Sequence, residues 1–277
     1  MQHLEWQITA SDCTPLFAQA WLPSGEPGRI LVIAHGLAEH SGRYAGFAQR
    51  LVGRGFAVHA LDHRGHGRSP GRRANIEHFD TVVEDLHAVV TKAARQHPRV
   101  PVTLLGHSMG GAIALACALR HPEPLHHLVL SAPAVGTDPA VPGLQVRLVR
   151  ALSRWLPDVG VLKLPAAAIS RDAEVIRAYE QDPMVYRGAI PARTVAELFD
   201  VMGRFPALAG ALRLPVLVLH GTGDTLVALE HCRSVYERLG SSDKTVIHYE
   251  GLFHEVLNEP ERERVVADLL AWLDART

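Results

Sequence analysis

Three side chains in this sequence could together carry out covalent ester chemistry: Ser108, Asp224 and His254. A serine hydroxyl is a weak nucleophile at neutral pH, so it needs a base within reach and a third group to orient that base. Ser108 sits in Gly106-His107-Ser108-Met109-Gly110, between the apolar run Val100–Leu105 and the Ala- and Leu-rich run Gly111–Ala116. A short strand entering and a helix leaving would force the serine onto a sharp turn, with its hydroxyl clear of the sheet. Glycines two positions to either side remove side chains that would collide there. The helix behind would also aim backbone N–H groups and the positive end of its dipole at the reacting centre. Without such flanks, the pattern would be only a glycine-rich turn with an idle serine.

The elements around these residues follow from the spacing of apolar positions. Residues 4–9 and 16–22 read as a hairpin, 29–34 as a buried strand, and 56–61, 127–131, 215–220 and 244–249 as further strands. Helical patterns cover 44–54, 79–96, 228–239 and 260–275. Strand and helix in alternation predict an α/β fold, a mainly parallel eight-stranded sheet with helices on both faces. Asp224 follows the strand 215–220, and His254 follows the strand 244–249. Carboxyl ends of parallel strands are where such a sheet places its ligand-binding groups. Taken alone, the aspartate would be a turn or cap residue and the histidine a solvated one. Their order after Ser108, each behind its own strand, makes them the orienting acid and the base. The backbone N–H groups of Met109 and of Leu37, in the loop after strand 29–34, are the expected donors to the oxyanion.

Between Ser131 and Pro215 the rhythm breaks into helical patterns interrupted by Pro139, Pro142, Pro157, Pro165, Pro183, Pro191 and Pro206. So long a stretch is not a bare loop. The reading is a hydrolase-like core of residues 1–133 and 205–277, with a helical cap inserted at 134–204. In the cap, Leu144, Leu148, Ala151, Leu152, Trp155 and Leu156 share one helical face, and Arg147, Arg150 and Arg154 another. That face either packs on the main domain or touches a lipid surface over the substrate channel.

Bulk properties exclude several classes. With 277 residues, 47% hydrophobic and 21% charged, the chain suits a globular enzyme with a sizeable core. A net charge of −1 recommends neither nucleic acid nor an anionic surface as a partner. The 17 histidines show no metal-ligand spacing, and no cofactor motif occurs. Cys13, Cys117 and Cys232 are odd in number and far apart, which points to a reducing compartment. No signal peptide or membrane-spanning run is apparent, so the expected location is the cytoplasm, with peripheral membrane contact through the cap.

The stretches His35-Gly36-Leu37-Ala38-Glu39-His40-Ser41-Gly42-Arg43-Tyr44, Asp62–Ser69, Gly106–Gly111, Ser131–Ala134 and Tyr179-Glu180-Gln181-Asp182-Pro183 extend the pattern over nearly the whole chain. In these the sequence resembles the monoacylglycerol lipases of the α/β-hydrolase superfamily, bacterial members in particular. The resemblance implies hydrolysis of monoacylglycerols to fatty acid and glycerol, a mobile apolar cap and no cofactor. It also implies that Glu39, Arg43 and Tyr179 bind substrate, the first two holding glycerol hydroxyls or, alternatively, steadying the loop as a buried ion pair. The segment Asp62–Ser69 reads as a structural turn despite its two histidines. Animal members carry a second histidine three residues after the catalytic one, where this chain has Leu257. Short-chain esterase, lysophospholipase, proline-releasing peptidase and acyltransferase activities would use the same triad. A dehalogenase or epoxide hydrolase would need a carboxylate at position 108. A non-catalytic lipid carrier would leave the serine unreactive.

Overall fold

A computed structural model describes residues 1–137 and 143–276 of the chain. Its strands are β1 (Gln2–Thr9), β2 (Pro15–Leu22), β3 (Arg29–Ala34), β4 (Phe56–Leu61), β5 (Val102–His107), β6 (Leu125–Ser131), β7 (Gly160–Leu162), β8 (Ile190–Pro191), β9 (Val216–Gly221) and β10 (Lys244–Tyr249). The helices are α1 (Ala45–Val52), α2 (Phe79–Gln96), α3 (Met109–Arg120), α4 (Gly143–Trp155), α5 (Ala173–Gln181), α6 (Ala192–Leu208), α7 (Leu229–Arg238) and α8 (Arg262–Asp274). Eight strands form one sheet in the order β1-β2-β4-β3-β5-β6-β9-β10. The pairs β1·β2 and β2·β4 are antiparallel, and the rest are parallel. The expected α/β-hydrolase architecture is therefore present.

Alternation along the strands divides the core in two. In β3, Ile30 and Val32 face one cluster with α2, α3 and α7, while Leu31 and Ile33 face another with α1 and α8. Helix α2 buries Val82, Val83, Leu86, Val89 and Val90 as a stripe against the sheet. The Asp62–Ser69 turn is structural: the Asp62 carboxylate accepts the Ser41 and Arg68 amides and the Ser41 hydroxyl at 2.6–2.8 Å.

The stretch between β6 and β9 is mainly helical, with two departures from expectation. β7 and β8 pair as a small antiparallel sheet. Helix α6 runs through Pro206 to Leu208, so residue 204 lies inside a helix. Pro206 is close to the helix end, where losing one N–H disturbs little of the ladder. Pro139 and Pro142 lie outside the described residues. Helix α4 packs on α6 and turns Val149 and Ser153 inward, leaving Leu144, Leu148, Trp155 and Leu156 55–78% exposed. Leu152 is half-buried, so the apolar face does not pack on the main domain as a whole. Among the described residues, no helix is long and apolar enough to cross a membrane.

Candidate active site

The turn from β5 to α3 has the geometry that its glycines anticipate. Ser108 has φ 54° and ψ −120°, a left-handed conformation that side chains rarely adopt. A Cβ at Gly106 would overlap the Gly110 carbonyl, and one at Gly110 would overlap the Ala34 and His35 carbonyls. The corner closes on itself because these positions carry only hydrogen. The Ser108 carbonyl accepts the amides of Gly111, Ala112 and Ala134, which pins the strained residue. As first residue of α3, Met109 has no helical carbonyl behind it to take its amide.

Asp224 and His254 come together from the loops after β9 and β10. His254 Nδ1 donates to Asp224 Oδ2 at 2.7 Å, and both side chains are buried. The other carboxylate oxygen accepts the amides of Leu226 and Val227 at 2.8 and 2.9 Å. Burial alone would raise the Asp224 carboxyl, but attraction to His254 and donors from His220 and the loop hold it well below the usual carboxylate range. It is therefore an anion able to fix the imidazole tautomer. Ser108 and His254 line one cavity together with Leu37 and Met109. Among the described residues, His254 bonds Asp224 and no hydrogen bond to the Ser108 hydroxyl is formed.

Beside this group is a buried ion network. Glu39 Oε1 accepts the Gly36 amide at 2.6 Å and the Tyr44 hydroxyl at 2.8 Å, and Oε2 accepts from Arg43 at 2.6 Å. Arg43 also meets both oxygens of Glu255 at 2.7 and 2.8 Å. Its guanidinium lies 4.9 Å from the centre of the Tyr179 ring. Burial would raise the Glu39 carboxyl, yet Arg43, His107 and His35 hold it at about 2. Burial pushes the Tyr179 hydroxyl up to about 12, so it stays protonated. Glu39, Glu255 and Tyr179 line the cavity, with Arg43 bracing them. Glu255 and His107, whose ring centroid is 4.7 Å from that of His254, were not singled out from sequence. Their one signal was adjacency, Glu255 to His254 and His107 to Ser108.

The rest of the cavity wall is apolar and comes largely from the stretch between β6 and β9: Leu162, Leu164, Val195, Leu198, Phe199 and Met202. Among the described residues, no three His, Cys, Asp or Glu side chains are arranged to hold a metal ion.

The chain matches the family described as serine aminopeptidase, S33, over residues 25–261. It is 42% identical over 253 residues to a monoacylglycerol lipase of Mycolicibacterium smegmatis, covering 91% of this chain and 90% of that one. A human monoglyceride lipase is 33% identical, covering 98% and 90%. The crystal structure of a Paleococcus ferrophilus monoacylglycerol lipase superposes with a TM-score of 0.84 at 30% identity, covering 95% and 99%.

Proposed function

The chain belongs to the monoacylglycerol lipase family of serine α/β-hydrolases, and from that premise we propose that it cleaves monoacylglycerols to fatty acid and glycerol. The observation that carries this reading is the cavity that holds Ser108 and His254 between an apolar wall and the Glu39–Glu255–Tyr179 corner. An acyl chain suits the wall, and a neutral polyol suits the corner.

In the proposed reaction, the Ser108 hydroxyl attacks the ester carbonyl while His254 takes its proton. Asp224 stabilises the imidazolium that forms. The Met109 and Leu37 amides bind the tetrahedral oxyanion, each worth ~10²–10³ in rate. His254 returns the proton to the departing glycerol oxygen, leaving the acyl group on Ser108. A water then attacks the acyl-enzyme, giving one proton to His254, and collapse releases the fatty acid and restores the serine.

The stretch 134–204 acts in this reading as a cap over the acyl chain. Its α4 face of Leu144, Leu148, Trp155 and Leu156, with Arg147 and Arg154 close by, suits transient contact with a lipid surface. A panel of mono-, di- and triacylglycerols, lysophospholipid and soluble short esters tests the substrate assignment. The expected result is a kcat/KM for monoacylglycerol at least about tenfold above every other member. Preference for lysophospholipid or a short soluble ester would replace this reading with one of those activities. Ester product exceeding free acid in the presence of a competing alcohol would make the chain an acyltransferase.

A further inference from the structure

His220 is at the end of β9, and its ring is fully buried. The Nε2 atom faces two acceptors, the Val227 carbonyl at 2.8 Å and Asp224 Oδ2 at 3.3 Å. Nδ1 lies 2.7 Å from the Tyr236 hydroxyl of α7. Two acceptors around Nε2 place the ring proton there, which leaves Nδ1 bare to accept the Tyr236 O–H. His220 therefore joins the acid loop twice. It holds the carbonyl of Val227, whose amide donates to Asp224 Oδ1, and it turns the positive end of its N–H toward Oδ2. Oδ2 is the same oxygen that accepts from His254.

Resting on the triad reading above, we infer that His220 is a positioning residue, steadied by Tyr236, that fixes the acid loop and tempers the pull of Asp224 on His254. A carboxylate with a second polarised N–H at the same oxygen concentrates less charge on the first. The imidazole of His254 is then held in place by a carboxylate oxygen that it shares with a second ring N–H. Donation from Tyr236 into Nδ1 polarises the ring and strengthens the far N–H, so the two residues act as one chain. The other charged or titratable groups around His254 are His107, Glu255 and, through the ion network, Glu39 and Arg43. Cys232 of α7 lies beside Tyr236. None of these is altered by the substitutions below.

The test is the pH profile of kcat/KM on a soluble nitrophenyl ester for His220→Leu, His220→Gln and Tyr236→Phe, with Asp224→Asn and Ser108→Ala alongside. His220→Leu removes the donor. It should lower kcat about tenfold with KM nearly unchanged, and move the acidic limb up by about half a pH unit or more. His220→Gln, whose carboxamide still donates, should restore the limb and most of the rate. Tyr236→Phe should shift the limb in the same direction by less, and it decides the matter should His220→Leu not fold. An acidic limb unmoved in every folded variant overturns the inference, however much rate is lost. Near-normal activity in Asp224→Asn or Ser108→Ala would instead overturn the triad reading, and this inference with it.

Discussion

Arg43 closes on both oxygens of Glu255 at 2.7 and 2.8 Å, across 212 positions of sequence, and so ties the His254 loop to the loop that carries Leu37. The same guanidinium holds Glu39, whose other oxygen accepts the Gly36 amide next to Leu37. One cation thus fixes the spacing between the proposed base and a proposed oxyanion donor.

Removing that cation should be costly. Arg43→Ala would leave two buried carboxylates without a counter-charge, a loss of ~3–5 kcal/mol. Thermal melting should fall by roughly 10 °C, with a drop in kcat larger than any rise in KM. Arg43→Lys keeps the charge but not the two-pronged contact, and should recover only part of each. A melting point for Arg43→Ala within a degree or two of wild type would show that the network carries little.

Two glycine substitutions should act in opposite directions. Gly110→Ala places a methyl against the Ala34 and His35 carbonyls and should destabilise by several kcal/mol, at the severe end for point changes. Gly46→Ala, on an exposed turn of α1 with open space around it, should stabilise by roughly 0.5–1 kcal/mol. Denaturant midpoints would check both, and equal effects would contradict the corner geometry.

Acid should destabilise the fold in two stages. Burial holds His59 and His107 down to about 4 and His66 to about 3, below the ordinary histidine value of about 6.5. From that ordinary value down to the folded ones, the unfolded chain binds more protons, so stability falls as pH falls. Glu39, held at about 2 against an unfolded value of about 4.3, extends the loss below that value. Calorimetry should show melting temperatures near their maximum at neutral pH and declining steadily below pH ~6.5. A flat profile down to pH ~4 would refute the account.

The exposed α4 face gives a prediction for lipid dispersions. Leu148→Glu with Trp155→Glu, at positions 59% and 77% exposed, should impair hydrolysis of dispersed monoacylglycerol by about tenfold or more. A soluble short ester should be turned over normally. Equal losses on both substrates would remove the interfacial role.

Much of the fold and of the site is legible in the order of the residues, for identifiable reasons. Strands 56–61 and 244–249 and helix 79–96 have the predicted limits because short runs holding apolar and β-branched residues, set off by polar or glycine neighbours, and a 3.6-residue stripe mark their ends. The Ser108 corner is readable because a strained turn needs glycines at fixed offsets. β7 and β8, three and two residues long, are too short to show a period. Glu255 could not be identified as a brace because its partner is remote in sequence and no local pattern links them. The α4 pattern reveals two faces, but which one turns inward depends on α6, through contacts that α4 alone does not encode.

The central claim is that Ser108 is the group that becomes acylated, with His254 as its base. Intact-mass and peptide mapping after a fluorophosphonate probe test this most directly. Wild type should gain one adduct, mapping to Ser108, while Ser108→Ala should gain none and lose on the order of 10⁶ in kcat. His254→Ala should label far more slowly. An adduct at another residue, or a Ser108→Ala protein that still hydrolyses ester within tenfold of wild type, would contradict the account.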